Sequence, residues 1–222
     1  MLFNKQKKIN VGYIFVNDTK LKSLNRPPEI VYSPNFKCPS IASTNNRIVA
    51  LYPNLSAKFT INKTDEHAHF DYEINKKHHS STSKMHQKLL DSVILESKND
   101  KMQFQLVSDI CFVTDDKDLE IFTTVAPNVD AINCNFINGA FYPYGWIRPI
   151  NSAWEVTDKS KITFNRDIPY VYILFNKPIN LEYVDNDKIK NYLDESFDIT
   201  NYGRSVDRLY KNALSRRPKK LL

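Results

Sequence analysis

Apolar and polar residues alternate in short segments along most of this chain. The segment HAHFDYEI, residues 67–74, shows this regularly, with every second residue apolar from Ala68 to Ile74. A period of two places the apolar side chains on one face of an extended strand and the polar ones on the other. The segment is therefore predicted to be a half-buried β-strand with one solvated face.

Further segments with the length and composition of strands follow at a spacing of roughly ten residues. They are VGYIFV (11–16), RIVALY (47–52), AKFTI (57–61), MQFQLV (102–107), DICFVT (109–114), LEIFTTV (119–125), KITFN (161–165), PYVYILF (169–175) and INLEYV (179–184). Aromatic residues make up 12% of the chain and suit a pleated, half-buried surface. We therefore predict a mainly β fold, an antiparallel β-sandwich of jelly-roll-like (cupin-like) type. The acidic run 115–118 between two of these segments predicts a hairpin turn.

Two regions carry a helical period instead. In KMHQKLLDSVIL, the residues Met85, Leu89 and Val93 recur on one helical face, so we predict one internal helix over about 83–95. After Val184, the segments DNDKIKNYLDESF and SVDRLYKNALSRR predict two more helices. The predicted organisation is a β-domain over residues 1–184 and a helical, basic C-terminal appendage over residues 185–222.

Length and composition fit an ordinary globular domain, because 41% of the 222 residues are hydrophobic and 25% are charged. No segment approaches the ~20 apolar residues that span a bilayer, and the first residues lack the features of a secretory signal. The three cysteines are widely spaced, which suits reduced thiols. Four glycines argue against glycine-rich phosphate loops. We therefore predict a cytoplasmic protein without membrane contact.

The formal net charge of +6 comes entirely from the C-terminal end. From residue 204 onward there are seven basic residues and one acid, so residues 1–203 are neutral overall. The simplest explanation is a solvated helix with a basic end. The alternative is a nucleic-acid-associated protein in which four basic tail residues bind a polyanion. These residues are Arg216, Arg217, Lys219 and Lys220.

Two histidines and a carboxylate on one predicted strand face form the sharpest candidate for a metal site. They are His67, His69 and Asp71, residue types that bind zinc or iron. The spacing resembles those of metallo-β-lactamases and iron/2-oxoglutarate oxygenases, but Tyr72 stands where the first family needs histidine. Both families need a distant third histidine, and none follows His86. We therefore favour a solvated strand face and no cofactor, with a metal-dependent, cupin-like enzyme as the alternative.

The sequence lacks signatures of nucleophilic catalysis. It contains no Gly-x-Ser-x-Gly motif, and no histidine follows Cys134 that can act as its base. Cys111 lies inside an apolar segment, as core cysteines do. These observations favour a non-catalytic protein.

The aromatic segment FINGAFYPYGWIRPINSAWEV (136–156) holds both tryptophans of the chain. Four of its side chains share one parity, so a strand would place them on one face. They are Tyr142, Tyr144, Trp146 and Arg148. Such a face can stack on a planar ligand while the arginine binds a carboxylate or phosphate. The alternative, which we favour, is a packed corner of the core.

For this segment we expect Trp146 to be mostly buried. We expect Arg148 to lie at the edge of a concave surface lined by Tyr142 or Tyr144.

Three longer segments and the C-terminus carry a resemblance beyond these motifs. The segments are DICFVTDDKDLEIFTTVAPN, FINGAFYPYGWIRPINSAWEV and PYVYILFNKPINLEYV, and the chain ends in SRRPKKLL. They resemble an uncharacterised family of marine tailed phages and bacteria, and the composition, rich in Lys, Asn and Ile, is similar to that of low-GC marine genomes. The resemblance implies an all-β ligand-binding or structural domain, without catalytic residues to transfer.

The leading interpretation is a non-catalytic, phage-type or bacterial accessory protein that binds a protein partner or a small ligand. If the chain is phage-encoded, we expect it in the host cytoplasm. The ligand and the oligomeric state stay open at this point.

Overall fold

The computed structural model describes residues 7–16, 26–31, 46–63, 68–75, 87, 89–90, 93–98, 101–145, 147–185, 217 and 220–222. Strands dominate these residues. In chain order they are β1 (Ile9–Phe15), β2 (Glu29–Ile30), β3 (Ile48–Leu51), β4 (Ala57–Lys63), β5 (Ala68–Ile74), β6 (Val93–Lys98), β7 (Lys101–Val107), β8 (Ile110–Thr114), β9 (Ile121–Val125), β10 (Asp130–Ile137), β11 (Gly139–Phe141), β12 (Asn151–Phe164), β13 (Val171–Phe175) and β14 (Ile179–Tyr183). The prediction of a mainly β fold is confirmed.

The strands form three sheets in a curled β-sandwich. The largest sheet has the order β5-β4-β12-β7-β6, and β10 also pairs with β12. The second has the order β11-β9-β13-β3-β2, and a small third sheet has the order β14-β1-β8. Among the described strands, β1 and β14 are the one parallel pair. The sandwich prediction is confirmed, whereas its finer assignment to a jelly roll stays a prediction.

β12 holds the largest sheet together by changing partners along its length. Its residues 151–156 pair with β7, and its residues 160–164 pair with β4. Between them Lys159 has a positive φ of 61°, and on β10 Asn133 has one of 56°. The Ser160 hydroxyl donates to the Asn133 carbonyl at 2.6 Å, which ties the two irregularities together. A bulge of this kind increases the local twist, so it helps the sheet to curl.

The main core joins the buried faces of all three sheets. Trp154 of β12 is among its most buried side chains, with 1% exposed. Its ring centroid lies 5.3 Å, 5.5 Å and 6.1 Å from those of Phe136, Phe164 and Phe104. Edge-to-face and tilted ring contacts add to the stabilisation that comes from removing apolar area from water.

A second, smaller core lies on the opposite face of β1. Side chains alternate along a strand, so Val11 belongs to the main core and Ile14 to the second. The buried members of the second core are Ile14, Cys111, Val113, Ile147 and Val184, and Val16, Leu221 and Leu222 pack against it. Gly12 faces this core, where an added Cβ would lie 2.7 Å from a methyl group of Val113. Burial on both faces explains why β8 is apolar without alternation.

The internal helix predicted over 83–95 is wrong at its C-terminal end. Gln87, Leu89 and Leu90 are helical, but β6 begins at Val93 and pairs with β7. The β-branched side chains at the start of β6 suit a strand, and the edge of β7 supplies backbone partners that outweigh the helical pattern. Residues 83–86, and the two helices predicted after Val184, lie outside the described residues.

The hairpin predicted at residues 115–118 is also wrong, although the turn itself forms. β8 pairs with β1, whereas β9 pairs with β11 and β13, so the turn passes the chain from one sheet to another. The Asp116 carboxylate accepts the N–H of Asp118 at 2.8 Å and binds the Lys177 ammonium at 2.8 Å. The local sequence specifies this turn but not the partners of its flanking strands.

Trp154→Ala is expected to lower the free energy of unfolding by about 3–5 kcal/mol, the usual cost of deleting a buried large ring. Chemical denaturation followed by circular dichroism measures the loss. Phe122 supplies the control, because its ring on β9 is 42% exposed and Phe122→Ala should cost about 1 kcal/mol or less. Equal losses in the two variants would contradict the central role of Trp154.

Candidate functional site

The structure separates the side chains that the sequence placed on one strand face. The chain turns at residues 143–145 and runs irregularly to the start of β12, because prolines fix φ and cannot donate to a ladder. Tyr142 is 46% exposed, Tyr144 is half-buried and Arg148 is exposed. Trp146 lies outside the described residues. The prediction that one strand face carries all four side chains is wrong.

Arg148 is flanked by two isoleucines that are buried in different cores. Ile147 is 2% exposed in the second core, and Ile150 is 1% exposed in the main core. The Ile150 N–H donates to the Ile110 carbonyl at 3.0 Å, and its carbonyl accepts the Ser108 N–H at 2.9 Å. The backbone that carries Arg148 is therefore fixed on both sides, while its side chain reaches solvent.

Arg148 borders a cleft of about 380 Å³. The cleft lies between β7 on one side and β9 and β11 on the other, and the residues that lead into β12 close one end. Its aromatic lining is Phe141, and neither Tyr142 nor Tyr144 lines it. A concave surface thus lies beside Arg148, as the sequence led us to expect, but a different ring faces it.

The cleft carries one positive charge beside neutral groups. Among the described residues that line it, Arg148 is the one ionisable side chain. Gln105 and Asn151 bring amides, which can both donate and accept. Thr123 is 6% exposed, and its hydroxyl accepts the Gly139 N–H at 2.9 Å, so it mainly fixes β11.

Arg217 covers one face of the half-buried Tyr144 ring, and Tyr144 does not line the cleft. The guanidinium carbon lies 3.8 Å from the ring centroid, and Nε donates to the Tyr144 carbonyl at 2.6 Å. The same guanidinium donates to the Thr114 carbonyl at 2.5 Å and to Asp115 at 2.8 Å. Tyr144 and Arg217 therefore bind each other, while the ligand-binding role of Tyr144 and the polyanion-binding role of Arg217 stay predictions.

Asp115 completes an arrangement that we call the C-terminal clasp, formed by Asp115, Tyr144, Arg217, Leu221 and Leu222. The Asp115 carboxylate accepts the N–H groups of Leu221 and Leu222, each at 2.9 Å. Partial burial pushes the pKa of Asp115 upward, but the hydrogen bonds from Arg217 and from these two N–H groups outweigh burial and leave the pKa lowered. The clasp therefore binds the end of the chain to the β-domain.

The predicted polyanion surface loses one of its four residues to the clasp. The Arg217 side chain is 2% exposed and paired with Asp115. Lys220 is exposed, and Arg216 and Lys219 lie outside the described residues. A polyanion would meet fewer free charges on this tail than the sequence implies.

The histidine-rich strand β5 presents its polar side chains to solvent. His69 and Asp71 are exposed, and Asp71 accepts a hydrogen bond from the Asn62 amide at 3.0 Å. His67 lies outside the described residues. In the part of the chain that the structure describes, no three His, Cys, Asp or Glu side chains group as metal ligands. The metal-dependent enzyme stays a prediction.

The two described cysteines are not prepared for nucleophilic attack. Burial raises the pKa of the Cys111 thiol well above its usual value, and the nearby charge of Arg148 does not offset this. Burial also raises the pKa of Cys134, whose Sγ donates to the Ile132 carbonyl at 3.1 Å. Because the thiolate is the reactive form, these shifts make both thiols less reactive at neutral pH than an ordinary cysteine.

A small, mostly apolar cavity beside Asp109 was not predicted from the sequence. Its volume is about 30 Å³, which holds one or two water molecules. Asp109 is 8% exposed and accepts a hydrogen bond from the Asn54 amide. Burial raises the pKa of the neighbouring Tyr170 phenol, and the Asp109 carboxylate adds to the rise. A carboxylate at the start of an apolar strand is the one sequence signal for this cavity, which is too small for an organic ligand.

No protein-family model, curated protein or solved structure matches this chain. Within the described residues, no helix is long and apolar enough to cross a membrane. Function is therefore inferred from the geometry of the cleft and of the clasp.

The clasp should make stability depend on pH through Asp115. Because its folded-state pKa is lowered, the stabilisation is fully present above the unfolded pKa of about 3.9 and is lost as the pH falls through the folded pKa. Asp115→Asn should cost about 1.5–3 kcal/mol at neutral pH, as for hydrogen bonds to a charged group. Its deficit relative to wild type should shrink below about pH 4. Thermal unfolding across the pH range measures both effects.

Asp118→Asn is the matched control, because this side chain is exposed on the same turn. It should unfold like the wild type at every pH. A deficit of Asp115→Asn that stays constant into the acid range would show that the carboxylate charge does not stabilise the clasp.

Proposed function

We propose that this chain is a non-catalytic binding protein that takes a small anionic ligand in the cleft beside Arg148. The observation that carries the proposal is an exposed arginine, fixed between two buried isoleucines, at the border of a cleft of about 380 Å³. Ligand sites are typically concave and mostly apolar, with a few polar groups that fix orientation. The Arg148 cleft has this composition.

The lining favours a ligand with one negative charge. Arg148 presents a planar fork of donors that matches a carboxylate or a phosphate. The described lining contains no second cation, so it would neutralise a polyphosphate poorly. Gln105 and Asn151 can bond hydroxyl or amide groups, while the half-buried Phe141 offers apolar surface. A hydroxylated monocarboxylate with one apolar face, such as an acidic sugar, has this chemistry.

The ionisable groups of the cleft favour binding over catalysis. General acid–base chemistry needs a group that can exchange a proton near neutral pH, and an arginine does not. From the resemblance to proteins of marine phages and bacteria, we further propose a phage-type or bacterial accessory protein that acts in the cytoplasm.

Titration with glucuronate, followed by calorimetry or NMR, tests the proposal. Arg148→Ala should weaken binding by about 10- to 100-fold, as expected for the loss of a charge-assisted hydrogen bond. Arg148→Lys keeps the charge but loses the planar fork, so it should retain only part of the affinity.

Lys58→Ala is the control, because Lys58 is exposed on β4 and does not line the cleft. It should bind glucuronate like the wild type. Binding that survives Arg148→Ala would place the anion elsewhere. If the wild type binds neither glucuronate nor the simpler monoanions benzoate and methyl phosphate, the proposed function is wrong.

A further inference from the structure

The C-terminal clasp and Arg148 share one short stretch of backbone. Arg217 binds the carbonyl and covers the ring of Tyr144, four residues before Arg148. Ile147, the residue before Arg148, is buried in the second core, and the two C-terminal leucines pack against that core. The C-terminal residues therefore contact this stretch at two points. Arg217 binds the turn at Tyr144, and the two leucines pack against the core that buries Ile147.

β8 provides a second structural link between the clasp and the backbone that carries Arg148. The clasp binds the Thr114 carbonyl at the end of β8 and the Asp115 carboxylate that follows it. The Ile150 N–H, two residues after Arg148, donates to the carbonyl of Ile110 at the start of β8 at 3.0 Å. The tail thus fixes both the stretch that carries Arg148 and the strand beside which Arg148 lies.

We propose that the C-terminal clasp positions Arg148 at the cleft, so that the end of the chain sets the affinity of the site without touching the ligand. This inference rests on the proposed function of the cleft. An arginine fork gives its full affinity when its backbone and neighbours are already ordered before the ligand arrives. Arg217 is accordingly a positioning residue. Loosening the clasp lets Arg148 adopt orientations that do not reach the ligand.

Hydrogen exchange and glucuronate affinity, measured on the same full-length variants, test the inference. Arg217→Lys keeps the charge but loses the fork and the stacking on Tyr144. Leu222→Ala loosens the tail without changing any charge. Each should speed amide exchange at residues 147–151 by about tenfold and weaken glucuronate binding by about tenfold. Exchange within β4 should not change, and Lys220→Ala, an exposed neighbour in the tail, should match the wild type in both measurements.

The two measurements distinguish an error in the role of the clasp from an error in the proposed ligand. Faster amide exchange only at residues 147–151, together with weaker glucuronate binding, supports the inference. If exchange becomes faster only at residues 147–151 but the wild type binds no glucuronate, the clasp does order the backbone around Arg148 and the proposed ligand is wrong. An unchanged exchange rate at residues 147–151 overturns the inference, because the clasp would then not order this stretch. An equally large increase of the exchange rate in β4 also overturns it, because the clasp would then contribute only to overall stability.

Discussion

The burial of β1 on both faces is the constraint on which the rest of this structure depends. One face, with Val11, completes the main core, and the other, with Ile14, needs a cover of its own. That cover includes Val184 after β14 and the two C-terminal leucines. An apolar face must be buried against another element, so the end of the chain acts as an additional layer of the sandwich.

The same arrangement explains why Arg148 and Arg217 behave differently. Removing a charge from water costs several kcal/mol unless it is paired, so Arg217, 2% exposed, requires Asp115 and two backbone carbonyls. Arg148 stays exposed and keeps contact with solvent. Burial therefore distinguishes Arg217, which stabilises the fold, from the exposed Arg148, and the sequence does not show this difference.

Local patterns predicted the parts of the fold that depend on local physics. β5 alternates because one face is buried and the other solvated, so its polar and apolar positions could be assigned from residues 67–74 alone. The partners of β6 and β9 could not be assigned, because pairing is decided by edges that lie far away in the sequence. The clasp was equally hidden, since about 100 residues separate Asp115 from Arg217. The parity argument relied on a strand over residues 142–148, and the prolines at positions 143 and 149 interrupt the extended backbone that this strand would need.

The parallel pairing of β1 with β14 also has a consequence during protein synthesis. Ile9 pairs with Ile179, so β1 leaves the ribosome about 170 residues before this partner. At about 5–20 residues per second, β1 waits roughly 10–35 s with an open backbone edge. Contacts between segments so far apart slow folding, and an open apolar strand can pair with other chains. Among the described strands, β1 is made first but is enclosed only after β14 has emerged, which leaves it open to such pairing in the meantime.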